Sequence, residues 1–168
     1  AIALSGAEAG QLVDLFGGEQ DLRTGLVRVL HERSFLDDAT RIFRAIRYEQ
    51  RLGFKLEENT LRLMQEALAG GVLGTVSGDR IRHELETILE EPEPLKVLLR
   101  ARELEVFQCL YTALRNVPFL ERLVGQQVEE PLVYLAAMAY HLTPVQKFGF
   151  IYRLNMPNRW AQVVNDAV

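Results

Sequence analysis

The chain has 168 residues, unexceptional apolar and charged content, a net charge of −4 and a single cysteine. That length suits one domain, or one domain with part of a second, and it can bury a normal core without staples. Cys109 has no partner for an internal disulfide, which fits a reducing, cytoplasmic compartment; three scattered histidines argue against a zinc site, and no apolar run reaches the roughly 18 residues of a membrane span.

The first twenty residues differ from the rest. Ala1-Ile2-Ala3-Leu4 and Gln11-Leu12-Val13-Asp14-Leu15 are short apolar runs that predict two weak strands. Two strands alone do not persist in water, so they read as the edge of a larger sheet. Gly17-Gly18 follows as a turn or hinge. From about Ser34 the pattern is helical. A first helix is expected from Asp38 or Ala39 to Leu52, stopped by Gly53. A second is expected over Glu57–Ala69, ended by Gly70-Gly71. A third starts at Ser77, a good N-cap, and runs to about Glu90 before Pro92. Shorter helices are expected over Leu95–Arg102, Val106–Leu114, Pro118–Val124, Pro131–His141, Pro144–Leu154 and Pro157–Val168. Several carry proline in the first turn, where its missing N–H does no harm. The expected fold is all-α: a bundle or superhelix, with a short N-terminal remnant of a sheet.

Charge is unevenly spread. Arg23 to Lys55 holds eight basic and four acidic residues, so this stretch is +4 and the remainder is −8. A local basic footprint matters more for phosphate contact than whole-chain charge. On a helix, Arg41, Arg44, Tyr48 and Arg51 share one stripe, with Arg47 at its border, while Ile42, Phe43 and Ile46 point to the core. Two readings are open. The stripe is a solvated face paired with carboxylates such as Glu84 or Glu86, or it is a phosphate and nucleotide surface with Tyr48 available for stacking. Asp38 has the same ambiguity, since an Asp before a helix is an ordinary cap. His31, His83 and His141 read as surface or packing residues, Cys109 as core, and Trp160 as a core anchor or a docking residue for parts outside this segment.

Three runs resemble motifs of the class II CCA-adding enzyme and bacterial poly(A) polymerase family. Leu12-Val13-Asp14-Leu15-Phe16-Gly17-Gly18-Glu19-Gln20-Asp21-Leu22 resembles the hinge between head and neck. Phe35 to Phe54 resembles the next motif, Glu-Asp-x-x-Arg followed by further arginines. Val76-Ser77-Gly78-Asp79-Arg80-Ile81-Arg82-His83-Glu84-Leu85 resembles the helix that braces it. Asp37 stands where the family often has Glu, and Ala39 where it often has Pro. The match is strongest over residues 11–90 and weakens after about residue 95.

The resemblance implies a division of the chain. Residues 1–20 would be a remnant of head-domain strands and the hinge, 21–92 the nucleotide-selecting neck, and 93–168 part of a helical body. It implies that Asp38, Arg41 and Arg44 bind the incoming nucleotide, that Arg47, Tyr48 and Arg51 contact phosphate or RNA, and that Gly17 and Gly18 form the hinge. ATP and CTP would be substrates, and tRNA or another RNA 3′ end and the head domain the partners. Magnesium would serve the parent enzyme through carboxylates outside this sequence. No catalytic residue and no metal ligand is expected within it, and no membrane contact. The alternative is a non-catalytic helical module that binds RNA or a protein.

The chemistry of such a pair is specific. Cytosine and adenine each present an amino donor beside a ring-nitrogen acceptor. A carboxylate accepts from the first and a guanidinium donates to the second. Uracil and guanine present a carbonyl beside an N–H, so the same pair meets them with the wrong polarity.

Overall fold

Helices dominate the computed structural model, which describes Gly10 and residues 13–167. In chain order these are α1 (Gly18–Thr24), α2 (Ser34–Asp37), α3 (Arg41–Leu52), α4 (Glu58–Ala69), α5 (Gly78–Leu89), α6 (Pro94–Glu103), α7 (Val106–Leu110), α8 (Leu132–Ala139), α9 (Pro144–Arg153) and α10 (Asn158–Asp166). Short 3₁₀ turns cover Val72–Thr75, Thr112–Leu114 and Pro118–Leu123. The expected helical architecture holds.

The sequence reading differs from the structure in several places. Ala1 to Leu4, Gln11 and Leu12 lie outside the described residues. Val13 to Leu15, expected in the second weak strand, are not in strand conformation. The helix expected to begin at Asp38 or Ala39 begins at Arg41, because a separate turn of helix, α2, precedes it. Ser77 occupies the N-cap position of α5, but its side chain makes no capping bond. The segment expected as one helix over Val106–Leu114 breaks at Tyr111, whose backbone is extended.

Two short strands were not foreseen. β1 (Leu26–Val27) pairs in parallel with β2 (Lys55–Leu56), Leu26 opposite Lys55 and Val27 opposite Leu56. Two-residue strands have no periodicity to detect; they pair because α3 returns the chain beside its own entry. The return depends on Gly53, whose φ of 65° is open to glycine at little cost. Its N–H and that of Phe54 close the end of α3 onto Gln50 and Glu49 carbonyls.

The core runs through α3. Ile42, Phe43 and Ile46 are fully buried, with α6 and α5 packed alongside. Each such side chain contributes about 1.5–3 kcal/mol relative to exposure. Two buried ionic ties reinforce the packing. Glu49 on α3 accepts from Arg100 on α6 at 2.8 and 3.2 Å, and also from the Leu56 backbone N–H at 3.1 Å. Glu91, just beyond α5, accepts from Arg47 at 2.9 Å. Glu49 therefore joins the sheet, α3 and α6 in one arrangement.

The C-terminal helices close onto α5 at one tight junction. A Cβ at Gly78 would lie 2.3 Å from the Arg153 carbonyl oxygen, which only glycine avoids. Arg153 donates to the carbonyls of Leu73 and Val76, and Arg82 to those of Leu154 and Asn155. Trp160 is buried against this half of the chain, as expected of a core anchor.

Candidate nucleotide-binding face

The site is built at the break between α2 and α3. Asp38 ends α2 with an extended backbone, φ −153° and ψ 102°. Its Oδ1 accepts from the Thr40 N–H at 3.0 Å and the Thr40 hydroxyl at 2.7 Å. This local turn is one that Asp stabilises readily, because a short carboxylate reaches the backbone two residues on. Arg80 from α5 adds a third bond to the same Oδ1, at 2.9 Å. Oδ2 receives no hydrogen bond from the described residues. Partial burial works to raise the Asp38 pKa, but the Thr40 bonds and the Arg80 charge outweigh it and hold the carboxyl below the ordinary aspartate range.

Arg41 opens α3. One guanidinium N–H donates to the Ser34 carbonyl at 3.1 Å, which ties the side chain across the break. Arg41 and Asp38 are thus gathered at the same junction, but each side chain is held by a different partner. Arg44 lies one turn on. Neither Arg41 nor Arg44 forms an ion pair with the described residues, and both are exposed. Glu84 on α5 couples electrostatically to Arg44 and Arg47. Burial pushes its carboxyl up, while the charges of Arg44 and Arg47 pull it down less strongly.

The remaining residues of the stripe divide. Arg47 is largely buried against Glu91, and its guanidinium also lies 4.9 Å from the centre of the Tyr48 ring. That places Arg47 in the scaffold rather than on the open face. Arg51 shares Glu91 at 3.5 Å but stays 55% exposed. Tyr48 is exposed beside Leu52. Glu86, considered as a partner for the stripe, pairs instead with Arg82 on its own helix.

Gly17 and Gly18 lie at the start of α1. Gly17 has φ 74°, and Gly18 is the first helical residue. Asp14 caps this end: its carboxylate accepts from the N–H groups of Gly18 at 2.9 Å and Glu19 at 2.8 Å. Those bonds, Glu19 first, hold the Asp14 pKa down.

The residues present do not fit a magnesium site. Asp37 sits beside Arg33 and His31, Asp38 has Oδ1 engaged by Thr40 and Arg80 and only Oδ2 open, and no group of three His, Cys, Asp or Glu among the described residues could hold a metal.

Arg80 is not singled out by the sequence, whereas Glu84 is named there as a carboxylate partner of the stripe. Both belong to the run Val76–Leu85, so the signal was the motif itself. Which of its side chains faces Asp38 depends on how α5 packs.

The chain matches known proteins at both sequence and structure level. Residues 53–116 match a family model described as "Probable RNA and SrmB- binding site of polymerase A". The chain is 34% identical to an A-adding tRNA nucleotidyltransferase of Geobacter sulfurreducens, over 99% of this chain and 21% of that protein. It is 38% identical to the A-adding tRNA nucleotidyltransferase of Halalkalibacterium halodurans, over 83% of this chain and 34% of that protein. Among solved structures, a CCA-adding enzyme in complex with ATP superposes with a TM-score of 0.80 at 35% identity, covering 97% of this chain and 42% of that one. The Thermotoga maritima CCA-adding enzyme complexed with tRNA superposes with a TM-score of 0.78 at 36% identity, covering 97% and 43%. The chain therefore spans less than half the length of these relatives, and within that span it belongs to the class II CCA-adding enzyme and poly(A) polymerase family.

Proposed function

We propose that this segment selects the nucleotide for an RNA 3′-end nucleotidyltransferase that acts on tRNA, with CTP or ATP as substrate, in the cytoplasm. The observation that carries the reading is the unfilled hydrogen-bonding capacity at the α2–α3 break. Asp38 keeps one carboxylate oxygen without a protein donor. Beside it, Arg41 and Arg44 present exposed guanidinium groups that form no close ion pair with the described residues, although the charge of Glu84 couples to Arg44. Lower on α3, by contrast, Arg47 and Arg51 share Glu91.

In this reading Asp38 Oδ2 accepts from the exocyclic amine of cytosine or adenine, and Arg41 donates to the adjacent ring nitrogen. Arg44, one turn further, meets the triphosphate or the RNA backbone. Tyr48 and Arg51 extend the same surface, and Arg47 serves it by fixing Tyr48 from behind. A bidentate pairing of this kind discriminates by roughly 1–3 kcal/mol. Gly17 and Gly18 serve as the pivot of the N-terminal region. Residues 1–20, 21–92 and 93–168 act as hinge region, selecting neck and partial body. Phosphoryl transfer needs magnesium held by carboxylates from outside this segment.

The test is nucleotide choice in the full-length protein that carries this segment, with tRNA lacking its 3′ end. Arg41→Lys keeps charge and helix propensity but loses the planar fork. Selectivity for CTP and ATP over UTP and GTP should fall about tenfold, the equivalent of about 1.4 kcal/mol within that range, with the melting temperature nearly unchanged. Parental selectivity in a folded Arg41→Lys protein would refute the assignment. The segment by itself should add no nucleotide to the same tRNA.

A further inference from the structure

Three donors converge on one atom of Asp38. The Thr40 N–H, the Thr40 hydroxyl and the Arg80 guanidinium all bond Oδ1, at 3.0, 2.7 and 2.9 Å. None bonds Oδ2. A carboxylate held through one oxygen by donors from two directions cannot spin about its Cβ–Cγ bond without breaking all three contacts. Thr40 comes from the same turn, only two residues away, and alone would leave the carboxylate free to swap its oxygens. Arg80 comes from α5, 42 residues distant, and fixes the plane from outside.

We infer that Arg80 is a positioning residue for nucleotide selection: it locks Asp38 through Oδ1 so that Oδ2 faces the base as a single, oriented acceptor. This inference rests on the reading of Asp38 as a base-selecting group. The arrangement is suited to that task because a pre-oriented acceptor discriminates better than one that must be ordered on binding. The pair is also poorly placed to matter for the fold. Arg80 is 55% exposed, and half-exposed ion pairs contribute little to stability. Arg80 does have spare N–H groups, so direct contact with a phosphate is the competing role. The two roles differ in what they change: orientation of Asp38 alters choice among bases, whereas phosphate contact alters affinity for all triphosphates alike.

The experiment compares Arg80→Ala, Arg80→Lys, Asp38→Ala and the Arg80→Ala/Asp38→Ala pair in the full-length protein. Single-nucleotide addition to tRNA is measured with each of CTP, ATP, UTP and GTP, resolving kcat and KM, and melting temperatures are recorded. Arg80→Ala is expected to lower selectivity for CTP and ATP about fivefold with little change in melting temperature. Arg80→Lys should restore most of it. In the Asp38→Ala background, Arg80→Ala should cause no further loss, because its effect passes through Asp38. If Arg80→Ala raises KM for all four nucleotides equally and leaves selectivity intact, Arg80 is a phosphate contact and the inference is overturned. Failure of Arg80→Ala to fold overturns it too, since a surface positioning group leaves the fold intact. If Asp38→Ala removes selectivity while Arg80→Ala does not, only the Arg80 inference fails. If Asp38→Ala keeps selectivity, the base-reading assignment fails and the inference with it.

Discussion

The two halves of α3 use the same residue type to opposite ends. In the C-terminal half, Arg47 and Arg51 share Glu91, and Glu49 receives Arg100 from α6. In the N-terminal half, Arg44 and Arg41 sit about one and two turns before Arg47 on the same helix, with no close ion-pair partner among the described residues. Helix geometry is common to both halves. The difference lies in what packs opposite. The C-terminal half lies under the junction of α5 and α6, which brings the Glu91 carboxylate to Arg47 and the Arg100 guanidinium to Glu49. The N-terminal half faces outward from the α2–α3 break, where Arg80 engages Asp38 through Oδ1 and leaves Oδ2 open. A charge inside the fold must be paired, whereas a charge left unpaired at the surface is free to meet a ligand.

That contrast is sharpest in stability. Glu49→Ala removes a buried acceptor from Arg100 and from the β2 backbone at once. It should destabilise by about 3 kcal/mol, the low end of the range for a broken buried pair, because Arg100 remains partly solvated. Chemical denaturation checks this, and a change below about 1 kcal/mol would show that the closed half is not structurally decisive. Gly78→Ala tests the other closed junction. The new methyl group meets the Arg153 carbonyl, so the backbones of α5 and α9 must part. A loss of about 1–3 kcal/mol is expected from such overpacking, read as a lower urea midpoint.

The open half should behave in reverse. Arg44→Ala should change stability by no more than about 0.5 kcal/mol. It should nonetheless weaken RNA or nucleoside triphosphate binding and reduce the salt dependence of that binding by about one phosphate contact. Titrating binding against potassium chloride separates the two effects; an unchanged salt slope would return Arg44 to the solvated-surface reading.

The smallest expected effect is on acid stability. Asp38 and Asp14 both have folded pKa values below those of the unfolded chain. The stability they contribute is fully present above the unfolded value of roughly 3.9 and is lost as pH falls through the lower folded values. Asp38→Asn should therefore flatten the acid limb of the stability curve below about pH 4, measured by thermal melts across pH, by slightly lowering the neutral plateau while leaving the acid end, where Asp38 is already neutral, nearly unchanged. An acid limb identical to the parent's would mean that the Arg80 and Thr40 bonds do not favour the charged form.

Much of this was legible in the residue order. The 3.6-residue period of α3 placed Ile42, Phe43 and Ile46 in the core and Arg41, Arg44, Tyr48 and Arg51 outside, as the structure has them. Gly53 announced the helix stop, and the order of motifs pointed to the family. These features follow from local rules: side-chain direction along a helix, and the left-handed backbone that glycine tolerates. What the order of residues did not contain was partnership. Asp38 meets Arg80 across 42 residues, Arg47 meets Glu91 across 44, and Glu49 meets Arg100 across 51. The β1–β2 pairing likewise joins two-residue segments too short to show a period. Helical period sets Arg47 at the border of the stripe that carries Arg44, but it does not say that Arg47 is closed into the scaffold by a carboxylate. Only the packing of α5 and α6 against α3 decides it, because a carboxylate neutralises an arginine through distance in space and not through distance along the chain.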